Sequence, residues 1–264
     1  VVVHPDPVTS LSVSPAATVC LGTTVTFTAT GGSEYLFYVN NAPQGVWSTT
    51  NTFVSSTLAN GSVVHAMVRT AAGCEAATSP ITITINQATA TLVADLTPAN
   101  VCFNEFINFT AGGGTQYEFL VNGTIVQPLS ADNTFGSNSL TTGAQVTVRV
   151  IDANGCEDVS DPITVTVFPT PSVTISANPA AGVCSGTPIT FTGHGAVRYA
   201  FKLNGVEVQP FSNSATYVLT TPHNNDVVAV VGEDANGCQA ESIDFKVVVH
   251  PDPVTSLSVS PAAT

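Results

Sequence analysis

The chain has 264 residues, and 18 acidic against 5 basic side chains give it a formal net charge of −13. That balance argues against nucleic acid and anionic membrane as partners, since both demand a basic footprint. Charged residues make up only 9% of the chain, far below the roughly 25% of ordinary globular domains. A surface so poor in charge is solvated by hydroxyls and amides or covered by neighbouring chains, and we expect the second.

Periodicity outranks length as a guide to organisation. Cys20, Cys102 and Cys184 are spaced by 82 residues, as are Cys74, Cys156 and Cys238. The segment Val1–Thr18 recurs letter for letter as Val247–Thr264, an offset of 246 or three repeats. Identity at 246 beside divergence at 82 makes the three-repeat block itself a repeating unit. The 264 residues are therefore expected to be a window on a longer tandem array. No signal peptide is expected in such a window. No run approaches the roughly 20 apolar residues of a membrane span.

Overlaid at 82 without gaps, the repeats give one set of elements. A weak first strand falls near Val8 to Val13, Ala90 to Leu96 and Ser172 to Ser176. The clearest signature follows: VCLGTTVTFT from Val19, VCFNEFINFT from Val101 and VCSGTPITFT from Val183. Val25 and Phe27, Ile107 and Phe109, and Ile189 and Phe191 are two apart, which puts each pair on one face of a strand. Beyond a glycine turn come Tyr35-Phe37-Val39, Tyr117-Phe119-Val121 and Tyr199-Phe201-Leu203, again at period two. These strands end in Asn40-Asn41, Asn122-Gly123 and Asn204-Gly205, a strong hairpin signal.

A middle segment offers Trp47, Leu129 and Phe211 at one position, then Phe53, Phe135 and Tyr217. Later strands carry Val64-Ala66-Val68, Val146-Val148-Val150 and Val228-Val230. DANGC (Asp152–Cys156, Asp234–Cys238) supplies a turn, and the last strand alternates as Ile81-Ile83-Ile85, Ile163-Val165-Val167 and Phe245-Val247-Val249. About seven short strands per repeat, with nothing helix-like, predict all-β tandem Ig-like antiparallel β-sandwiches. Repeat boundaries fall at 4–85, 86–167 and 168–249. Residues 1–3 would end a preceding strand and residues 250–264 would open the next repeat. The joints are about four residues long and two contain proline pairs (Pro5 and Pro7, Pro169 and Pro171), so a semi-rigid rod is expected.

Within each repeat the two cysteines lie 54 apart: Cys20 and Cys74, Cys102 and Cys156, Cys184 and Cys238. Regular pairs in a β-rich chain predict intradomain disulfides and an oxidising, extracellular setting, with free thiols or zinc ligands as the weaker readings. Closing each such loop would contribute roughly 4 kcal/mol in the chain-entropy model.

Of the five histidines, His4 and His250 share one repeat position, while His65, His194 and His223 are scattered; none has metal-ligand spacing. Carboxylates cluster around the last turns: Asp152, Glu157, Asp158 and Asp161, then Glu233, Asp234, Glu241 and Asp244. The first repeat keeps only Glu75 there. Such clusters suit solvated turns better than structural calcium, for which no loop pattern exists, or a glycosidase pair, which needs a cleft. No catalytic residue and no cofactor is expected. Trp47 could stack on a sugar, but Leu129 and Phe211 at its position favour a core plug. Asn60, Asn108 and Asn122 match the N-x-S/T pattern and are read as incidental.

The motifs quoted above resemble the Ig-like/PKD-like tandem repeats of giant surface proteins of Bacteroidota, and the resemblance covers all three repeats. It implies a non-enzymatic protein secreted by the type IX pathway to the cell surface, acting as an adhesin or filament, similar to the grappling-hook appendages of predatory gliding bacteria. The expected role is a shaft segment carrying load between the cell and a distal attachment element. Its expected partners are identical chains packed laterally, and another cell or surface reached through domains beyond this window. The alternative is a carbohydrate-binding Ig-like module.

Overall fold

The structure is a computed structural model that describes residues 4–257, so Val1 to Val3 and residues 258–264 lie outside it. Among the described residues the chain is all β, and no helix is long and apolar enough to cross a membrane. It divides into two compact units. One holds the described residues through Asp95 together with Asn108–Gly136 and Gln145–Thr164; the other holds Leu96–Ile107, Ser137–Ala144 and the chain from Val165 onward. The second sequence repeat is thus shared between the two.

The first repeat shows the pattern. Its strands are β1 (Ser10–Ser14), β2 (Thr18–Cys20), β3 (Val25–Thr30), β4 (Glu34–Val39), β5 (Ala42–Pro43), β6 (Thr52–Ser55), β7 (Val63–Arg69), β8 (Glu75–Ala77), β9 (Ile81–Thr82) and β10 (Thr84–Asn86). One sheet runs β1-β3-β6 and a second runs β5-β4-β7-β8, with β9 also on β7. The inward positions of both sheets, Val25, Phe27 and Ala29 against Phe37, Val64, Ala66 and Val68, form one buried cluster. This strand order, with two sheets packed over alternating residues, is an Ig-like sandwich. The third repeat builds the same core from Ile189, Phe191, Phe201, Val228 and Val230.

Phe53 bridges the layers, with ring centroids 6.1 Å from Phe27 and 5.8 Å from Phe37. Phe135 does the same for Phe109 and Phe119, and Tyr217 stacks on Phe201. The Asn-Gly hairpins form as predicted: Asn122 and Gly123 have φ of 51° and 76°, and Asn204 and Gly205 have φ of 53° and 80°, the left-handed pair of a type I′ turn.

Two features differ from the sequence reading. Each sandwich also contains a parallel pair, β2 with β10 in the first repeat, Asn100–Cys102 with Thr166–Phe168 in the second and Val183–Cys184 with Val249–His250 in the third. The sandwiches are therefore not purely antiparallel. The gap-free overlay also fails in the first strand of the second repeat. Leu11 faces Ala29 and Ile175 faces Gly193, but Leu92, one residue early, faces Ala111. The cis prolines, Pro15, Pro98 and Pro179, show the compensating slip.

Of residues 250–264, predicted to open a next repeat, 258–264 lie outside the described residues; His250 ends a strand begun at Val249, and 251–257 carry no strand.

Candidate functional site: the stapled joints

The first cysteine of each repeat ends the short parallel strand. Cys20 sits opposite Asn86, and the ladder continues as the Leu21 amide donates to the Asn86 carbonyl at 2.9 Å. Cys102 sits opposite Phe168, and the Phe103 amide donates to the Phe168 carbonyl at 2.8 Å. Parallel pairing with the last strand carries these cysteines to the exit of their own repeat.

The second cysteine is presented by the DANGC turn. Asp152 Oδ1 accepts the amides of Asn154 and Cys156, both at 2.8 Å. Asp234 Oδ1 accepts those of Asn236 and Cys238 at 2.8 and 2.9 Å. The Cys156 amide, reinforced by Asn154 and opposed by partial burial, holds the Asp152 carboxyl below the usual carboxylate range. In the first repeat Thr70 replaces the aspartate, and its Oγ1 accepts the Cys74 amide at 3.2 Å.

The disulfides join Cys20 to Cys156 and Cys102 to Cys238, each across 136 residues, with Cα atoms 5.4 and 5.5 Å apart. This overturns the expected intradomain pairing of Cys20 with Cys74, Cys102 with Cys156 and Cys184 with Cys238. The physical reason is the length of β7. Cys20 lies near its Val63 end, where Asn60 Oδ1 accepts the Ile85 amide, and Cys74 follows its Arg69 end. Seven residues at about 3.3 Å each put roughly 20 Å between those ends, whereas a disulfide spans at most about 7 Å between Cα atoms. Each staple lies within one compact unit and ties one sequence repeat to the next. Cys74 and Cys184 are unbonded.

Three glycines at one repeat position fit the chain tightly beside the joints. Gly31, Gly113 and Gly195 have φ of 108°, 89° and 89°. A Cβ there would lie 2.2, 1.7 and 1.9 Å from the carbonyl oxygens of Val8, Thr89 and Ser172. No side chain fits.

Around the first staple, Ala88 is buried and the Ala90 amide donates to Asp158 Oδ2 at 2.8 Å. Beside the second joint, an open groove of about 470 Å³ is lined by Phe103, Leu140, Thr142, Phe168 and Pro169.

The remaining candidates are occupied structurally. Glu157 pairs with Arg149 at 2.9 Å and Glu118 joins it at 3.0 Å. Glu233 pairs with Arg198, Glu241 with Lys202 and Glu75 with Arg69, while Asp161 and Asp244 are exposed. Among the described residues no three His, Cys, Asp or Glu side chains converge on a metal position.

His65 stacks on Tyr38, His194 Nε2 lies 3.0 Å from Ser176 Oγ, and His223 lies by Asp226. Trp47 is not a core plug: it is half-buried, with the Arg69 guanidinium 3.9 Å above its ring. The side chains of Asn60, Asn108 and Asn122 are held by the Ile85 amide, Asp95 and the Gln145 amide.

No protein-family model matches the chain, and no curated protein matches it. Among solved structures it is similar to the fibronectin(III)-like modules of Clostridium thermocellum CbhA, at 19% identity, 60% of this chain, 94% of that one and a TM-score of 0.33. It is similar to the three N-terminal domains of the bacteriophage RB49 highly immunogenic outer capsid protein, at 11% identity, 92% and 99% coverage and a TM-score of 0.39. The second Ig-C2 domain of human Fc-receptor-like A matches 31% of this chain and 98% of its own, at 20% identity and a TM-score of 0.27. The fold assignment rests on the strand order described above.

Proposed function

We propose that this chain is a structural segment of a secreted, extracellular filament or adhesin. Its repeats, with edges at 4–85, 86–167 and 168–249, transmit tension from a cell toward a distal attachment element. The observation that carries this reading is the pairing of the disulfides. A disulfide inside one sandwich protects only that sandwich, whereas these tie consecutive repeats. The loops 20–156 and 102–238 overlap over 102–156. One backbone break anywhere between Cys20 and Cys238 leaves the two ends covalently joined. A role in bearing load explains that redundancy, and the proline pairs Pro5/Pro7 and Pro169/Pro171 locally stiffen the chain at two of the joints.

Lateral packing of identical chains is part of the proposal. It is supported by the scarcity of charge and by large apolar side chains left exposed, among them Phe103, Phe106, Ile125, Val206 and Ile243. The carbohydrate-binding alternative gains nothing from Trp47, one face of which is already covered by Arg69. Solution mass and electron micrographs of the native secreted material test the reading. Bundles of several chains are expected, and single isolated strings would contradict it.

A further inference from the structure

Cys74 and Cys184 carry no disulfide, yet every cysteine equivalent to them does. At each internal joint one residue marks the place where the staple closes. Asn86 faces Cys20 in the parallel ladder, and Asn86, Cys20 and Cys156 line one small cavity. Phe168 faces Cys102 in the same register, and both line a cavity with Asn236 and Gly237, the residues before Cys238.

The same marker exists twice more, each time with only half of its cysteines. His250 faces Cys184 in the third parallel ladder, and the His4 carbonyl oxygen lies 3.8 Å from Cys74 Sγ. His4 and His250 are the same letter of the duplicated segment Val1–Thr18 and Val247–Thr264. Letting one copy of that segment serve both ends places Cys184 and Cys74 on the two sides of a single histidine.

Spacing and exposure agree with that placement. From Cys184 to Lys246, where the block closes, is 62 residues, and Cys74 is residue 74 of the block. Together they give 136, the separation of both disulfides already formed. Cys156 and Cys238 are 2% and 0% exposed, while Cys74 at their position is only half-buried. Cys184 is exposed where Cys20 and Cys102 are half-buried. Each free cysteine lacks the cover that the adjoining repeat supplies at the internal joints, the following repeat for Cys184 and the preceding repeat for Cys74.

We propose that Cys184 of one three-repeat block and Cys74 of the following block form a third staple of the same kind. Successive blocks are then joined covalently across the His250/His4 joint as repeats are joined within a block. The two thiols lose two protons and two electrons. A disulfide oxidant of the secretory environment accepts them and leaves as two thiols. The partner is a second copy of this chain in tandem, so the inference rests on the tandem-array reading above but not on lateral assembly.

The test is a doubled chain in which residues 1–246 are followed in register by the full 264-residue sequence, refolded with oxidised and reduced glutathione. Free thiols are then alkylated and the non-reduced peptides mapped. Of its twelve cysteines two should alkylate, Cys74 of the first copy and Cys184 of the second, and one new linkage should join Cys184 of the first copy to Cys74 of the second. Replacing the first copy's Cys184 (Cys184→Ser) should free the second copy's Cys74 and leave the four internal staples intact. Four alkylated cysteines in the unsubstituted doubled chain, with those internal staples present, would overturn the inference. So would Cys184 linked to any other partner. A failure of lateral assembly would leave this thiol count unchanged.

Discussion

The two internal joints do the same job with different side chains. At Asn86–Thr89 the contact is polar and close: Ala88 is buried and Asp158 accepts the Ala90 amide. At Phe168–Pro171 the corresponding carboxylate is replaced by Ala240, and the Phe168 ring and Pro169 border an open groove. What both share is the parallel ladder, the tight glycine at Gly113 or Gly195 and a disulfide closing 136 residues. Covalent and backbone features are therefore common to the joints, and side-chain packing is free to vary.

That comparison is broken most severely by removing the staples. In the chain-entropy model each loop contributes roughly 5 kcal/mol, and because the loops are equal in length, Cys156→Ser and Cys238→Ser should lower stability by similar amounts in denaturant unfolding. A large inequality would show that the packing around one joint matters more than its covalent link. Next come the glycines. Gly113→Ala and Gly195→Ala each meet a backbone oxygen and a left-handed φ, and should cost more than about 2 kcal/mol. Gly123→Ala and Gly205→Ala have left-handed φ but open space and should cost about 1 kcal/mol.

Smaller effects sharpen the contrast. Asp158→Ala should weaken the first joint by about 1 kcal/mol, the net worth of a typical hydrogen bond, since this one is only part-buried. Ala240 offers no such acceptor at the second joint, so that joint needs no matching change. The smallest effect is a pH dependence. The Asp152 carboxyl is held below its ordinary value in the folded chain, so its contribution is complete above the usual carboxylate range and fades as pH falls through the depressed value. Asp152→Asn should slightly lower the neutral part of a thermal-melting profile against pH, leave its acid end in place, and so flatten the acid limb between them.

Much of the sandwich was legible because its signals are local. Val25 and Phe27, or Phe37 and Val39, report one face of a strand by simple alternation, and Asn-Gly pairs report the hairpins. The disulfide pairing was not legible from spacing, which is equal in every repeat and carries no information about which end of a sandwich a residue occupies. Only the parallel course of β2 along β10 places Cys20 at the exit of its repeat, and three residues are too few to declare their partner. The one-residue slip at Leu92 was hidden because shorter flanking segments compensate it, keeping Cys102 in the 82-residue register. Trp47 misled as a core plug because its equivalents are apolar, whereas Arg69 supplies it with a surface partner.

The central claim is that the cysteines link repeats to one another, and cutting a joint tests it directly. A protease site placed in the first joint between Gln87 and Thr89 would be cleaved and the product run on a gel without reductant. Staples between repeats predict a single band at the full mass that separates into two fragments only on reduction. Two fragments released without reductant would contradict the account and restore the pairing within each sandwich.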